Sequence, residues 1–128
     1  PANTSLSQQD LGQLDKPGVL AIVAIGHDGS VYAAAKPQGS ARARGCGPEC
    51  YARVRAEVSK GLRIEAPRMA TNASTAASYA THLTMLALAK GGYVDYFAAM
   101  APERRATFDA HIAAFGRVVA SARAVVEK

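Results

Sequence analysis

Two patterns of apolar residues divide the chain. Near the start, Val19-Leu20-Ala21-Ile22-Val23-Ala24-Ile25 is an unbroken, mostly β-branched run of strand length, and Val31–Ala35 follows as a second. Between them, Gly26-His27-Asp28-Gly29-Ser30 holds an Asp-Gly pair, which suits the positive φ of a tight turn. The two runs predict a β-hairpin whose first strand is apolar enough to be buried.

Beyond the hairpin the period changes to that of helices. Pro48 fits a first helical position and Gly61 a C-terminal cap, and Tyr51, Val54 and Val58 share one face between them. Leu62–Ala66, ended by Pro67, admits a third, short strand. From Thr71 or Asn72, both good N-caps, to Lys90 before Gly91-Gly92, the chain reads as one helix. It is apolar nearly all round, with Ser74, Ser78, Thr81 and His82 as a thin polar stripe, so it is expected to be the central buried helix. Tyr93, Tyr96, Phe97 and Met100 fall on one face of a short helix. After Pro102, the stripe Phe108, Ile112, Phe115, Val119, Ala122, Val126 predicts a long amphipathic C-terminal helix.

Strands at one end and helices at the other define an α+β class, with an N-terminal hairpin packed against three to four helices. Residues 1–17 are polar around isolated Leu6, Leu11 and Leu14 and are expected to form a partly mobile arm; residues 18–128 are expected to form one domain. Leu, Ile, Val and Phe make up only 25 of 128 residues, a share that would suggest disorder if the net charge were large. The formal charge is only +5, and 28 alanines supply the missing apolar content, favouring helices that approach closely. No run approaches the ~18–20 apolar residues of a transmembrane helix.

The charge is localised. Lys36, Arg42, Arg44, Arg53, Arg55, Lys60, Arg63 and Arg68 face only Glu49, Glu57 and Glu65 in the same window, which therefore carries the whole excess. Such a patch admits an anionic partner, nucleic acid among them, through Arg42, Arg44, Arg53 and Arg55. Single-strand binders interleave several aromatics with the charge, whereas Tyr51 alone does so here.

Gly45-Cys46-Gly47-Pro48-Glu49-Cys50 is the sharpest local feature, at a predicted helix start where a thiolate would be stabilised. Its spelling is similar to the Cys-Gly-Pro-Cys site of thioredoxins, but Glu49 adds a residue and a long loop separates it from the preceding strand. No family follows from five positions. Cys46 and Cys50 remain thiol candidates, with His82 as a base, or a structural disulfide if the protein is exported. His27 fits turn chemistry, and His111 fits boundary packing. No spacing predicts a metal or cofactor site, and the acids show no pairing for two-carboxylate catalysis.

The chain opens at Pro1 without a basic-then-apolar segment, which leaves the compartment open between cytoplasmic and exported. The reading this supports is a small non-catalytic binding or accessory protein acting through helical surfaces, with a protein partner or a second copy of itself. Tyr93, Tyr96 and Phe97 are its candidate anchors. Thiol chemistry at Cys46 and Cys50, and nucleic-acid binding by the arginine segment, are the alternatives.

Overall fold

The computed structural model of the chain describes residues 6, 8–14, 16–36, 48–69 and 73–126. Arg42, Arg44, Cys46 and the N-cap candidates Thr71 and Asn72 lie outside them. In chain order the elements are α1 (Gln8–Leu14), β1 (Ala21–Ile25), β2 (Val31–Ala35), α2 (Pro48–Glu65), α3 (Ala73–Ala77), α4 (Ala80–Lys90), β3 (Asp95–Ala99), α5 (Pro102–Ala110) and α6 (Ile112–Val126). The class is α+β, with a helix-rich C-terminal half.

The hairpin forms where the sequence places it. β1 and β2 pair antiparallel from Ile25↔Val31 to Ala21↔Ala35. Gly29 takes φ +90°, and Asp28 Oδ1 accepts the Ser30 N–H at 2.9 Å, which closes the turn with the residues the Asp-Gly signal requires. The third strand is elsewhere than expected. Leu62–Ala66 continues α2 into a short 3-10 turn, because Gly61 does not end the helix. A Cβ on Gly61 would lie 3.2 Å from both methyls of Val118, so this glycine permits close approach of α2 and α6.

The third strand is instead β3, formed by residues expected to be helical. It pairs antiparallel with β2, from Val31↔Ala99 to Ala35↔Asp95, giving the order β1-β2-β3. Gly91 and Gly92, the latter at φ +83°, end α4 and turn the chain toward the free edge of β2. The short aromatic segment that follows is compatible with either period, and pairing with β2 decides in favour of the strand.

α4 is the central element, packed against α2 and α6 as well as β3, with Ala80–Met85 all buried. Its expected continuation upstream is broken at Ser78-Tyr79. There the Ser78 hydroxyl donates to Thr75 O at 2.6 Å, and the Ser78 carbonyl accepts from Arg104 Nη2 at 2.8 Å. Arg104 also donates through Nε to Tyr32 Oη at 3.0 Å and lies 4.1 Å from the Tyr79 ring centroid, tying β2, the helix break and α5 together.

The long C-terminal helix is likewise two helices, separated at His111 (φ −121°, ψ 24°). In one straight helix the seven residues from Phe108 to Phe115 would span about 10 Å of axis. The bend instead stacks the two rings at 5.0 Å and 18°, so packing overrides helix continuity. Glu65, buried at the end of α2, accepts from Arg117 of α6 through both carboxylate oxygens, at 2.7 and 3.2 Å. Those bonds, foremost among the causes, hold its carboxyl below the ordinary glutamate pKa. At the other end of the chain, Leu6 and Leu14 join the single core, and Tyr51 donates its hydroxyl to Leu6 O at 3.2 Å.

Candidate functional site

The arginine and thiol candidates do not assemble into one site among the described residues. Arg53 Nη2 donates to Val125 O at 3.1 Å, and Arg55 Nη1 donates to Thr81 Oγ1 at 2.9 Å, so each ties α2 to a neighbouring helix. Cys50, in the first turn of α2, is disulfide-bonded, and Cys46 lies outside the described residues. Among the described residues, no three His, Cys, Asp or Glu side chains are grouped to hold a metal ion.

His82 lies in an aromatic cluster of the core. Its Nδ1 is 2.8 Å from Tyr96 Oη, and its ring lies against Tyr32, Tyr96 and Phe108, with centroids 6.0, 5.6 and 5.1 Å away. Burial, with a smaller contribution from the Arg104 charge, pushes its pKa down to about 4. His82 is therefore neutral near pH 7. At 3% exposure its ring has no face open to a substrate, and the arrangement serves to join α4 to the sheet.

β3 separates the aromatic candidates by strand alternation. Tyr96 points inward to His82, whereas Phe97 points outward and is 60% exposed. Tyr93 precedes the strand, half-buried over Gly91, where a Cβ would meet its ring at 3.1 Å. The three residues therefore do not share the helical face that their spacing suggests.

The alternation exposes a surface that the sequence reading missed. The pairings Ala21↔Ala35↔Asp95, Val23↔Ala33↔Phe97 and Ile25↔Val31↔Ala99 place nine residues on one face of the sheet. Eight of the nine are apolar, and Asp95, at an end of the strand register, carries the face's single charge. Val23 and Ile25 are 61% and 71% exposed, so β1 is an edge strand covered on one side, not the buried strand expected. A hollow of about 200 Å³ lined by Ala21, Ala33, Ala35 and Phe97, among others, lies on this sheet. The sequence did contain the signal. A strand facing water on one side normally alternates apolar and polar residues, and β1 does not.

The fold and this face define a small α+β protein with an apolar sheet surface that no described residue covers. Comparison with protein-family models, with curated proteins and with solved structures finds no match to this chain.

Proposed function

We propose that the chain is a non-catalytic binding or accessory protein that works as a homodimer closed across the outer face of its sheet. One observation carries the reading: the strands are apolar on both faces, while the described residues cover only one. Sheets with two apolar faces have both covered. The expected helical surface is replaced by the sheet because Phe97 lies on a strand.

A second copy is favoured over an unrelated partner because the face is self-complementary. Phe97 projects beside a floor of alanines, so a two-fold axis lying between the two faces, parallel to the strands and midway between β2 and β3, sets the ring of each copy over Ala33 and Ala35 of the other. A lone charge, Asp95, leaves the centre free of the cost of burying an unpaired ion. Three five-residue strands cover roughly 10–15 Å by 17 Å, less than the ~800 Å² per partner of a stable interface. The contact therefore extends beyond the three strands.

Sedimentation velocity across a concentration series tests this reading. The expected species has twice the 13.3 kDa mass of one chain, and Phe97→Asp or Val23→Lys converts it to monomer with unchanged helical circular dichroism. A wild-type monomer at all concentrations, or a dimer that survives both substitutions, overturns it.

A further inference from the structure

A second apolar surface, sharing no residue with the sheet face, lies where α4, α5 and α6 meet. Tyr79, just before α4, is 5.2 Å from Phe115 in the first turn of α6, while Lys90 and Arg123 lie in the last turns of α4 and α6. The two helices thus run side by side in one direction. Between them is a groove of about 650 Å³, within the range of small-molecule pockets.

We propose that this groove binds one amphiphilic carboxylate, its alkyl chain along the apolar floor and its carboxylate at Lys90. Phe108, Phe115 and Val119 are buried and form the floor, with Leu86 on the α4 side. Small residues keep the groove open, since Gly116, Ala120 and Ala124 recur every fourth position along α6. A Cβ on Gly116 would meet nothing within 4 Å, so the space above it is empty of protein. From Ile112 to Arg123 the helix extends about 16 Å at ~1.5 Å per residue, which suits an extended chain better than a compact ring.

Charge selects the head group. Among the described residues of the lining, Lys90 and Arg123 are the charged ones, both are cationic, and both stand at the same end. No acid is among those described residues. An alkyl chain with an anionic end matches this polarity, whereas a neutral or cationic amphiphile leaves Lys90 without a counter-charge. Ile112, 55% exposed at the opposite end, marks where the chain terminus lies.

The experiment titrates the intact protein with [1-13C]dodecanoate kept monomeric, reading the carboxyl resonance and the heat of binding. One equivalent is expected to bind. Lys90→Gln weakens it about tenfold or more, the loss of one charge-assisted hydrogen bond. Gly116→Leu projects into open space, fills the groove and abolishes binding while leaving the circular dichroism and the mass of the assembly unchanged. Any of these results overturns the proposal: dodecyltrimethylammonium binding as tightly as dodecanoate, association only with anionic phospholipid vesicles, or binding that survives Gly116→Leu. A change of assembly mass in Gly116→Leu also overturns it, assigning the groove to a protein contact instead.

Discussion

The two faces of the sheet are made from the same strands and almost the same residue types, yet they meet different fates. On the inner face Tyr32 and Ala34 are buried, and Ile22, Ala24, Tyr96 and Ala98 pack against the core. Every polar group brought there has a partner: Tyr32 bonds Arg104, Tyr96 bonds His82, and no buried side-chain polar atom of the described residues is left unpaired. On the outer face Val23, Ile25 and Phe97 stand in water. Burial by the described residues accounts for the first face and not for the second. The proposed dimer would cover that second face.

The contrast can be broken from either side. The largest effect is expected from Tyr32→Ala on the inner face, which removes a fully buried ring and strands Arg104 Nε, costing about 3–5 kcal/mol of folding stability in urea titration. Acidification comes next. His82 binds its proton with a pKa near 6.5 when unfolded and about 4 when folded. The unfolded chain therefore takes up the proton first, so stability falls as pH drops through that window, by on the order of 3 kcal/mol in total. Urea midpoints at several pH values show this slope, and His82→Gln flattens it.

Tyr96→Phe keeps the ring and deletes the hydroxyl facing His82, for a loss of about 1–2 kcal/mol. The smallest effect on folding belongs to the outer face. Val23→Thr, 61% exposed in wild type, shifts monomer stability by no more than ~0.5 kcal/mol while weakening self-association measurably in sedimentation. If Val23→Thr cost as much folding stability as an inner-face substitution, the two faces would not differ as described.

What was legible in the sequence follows the range of the interaction that decides it. The hairpin was legible because Asp28-Gly29 and two β-branched runs specify it locally. So were the start of α2 at Pro48 and the end of α4 at Gly91-Gly92. The breaks were not, since each depends on a distant group: Arg104 takes the Ser78 carbonyl, and Phe108 must meet Phe115. Gly61 resembles a cap until Val118 is seen against it. The 93–100 segment was misassigned because its aromatics fit a helical face, and only the open edge of β2 makes it a strand. His82 stands out in the sequence as part of a polar stripe, but its partner Tyr96 lies across the sheet contact. That β1 is apolar on both faces was legible in its lack of alternation, but which of the two the helices cover was not, because periodicity does not say.

The most direct test of the central claim is an isotope-filtered NOE experiment on a mixed sample, half the chains 13C-labelled and half unlabelled. Filtering retains only contacts between different copies. The account predicts intermolecular NOEs from the Phe97 ring to the methyl groups of Ala33, Ala35 and Val23. Their absence at concentrations where relaxation reports a monomer, or their appearance on another surface, would contradict it.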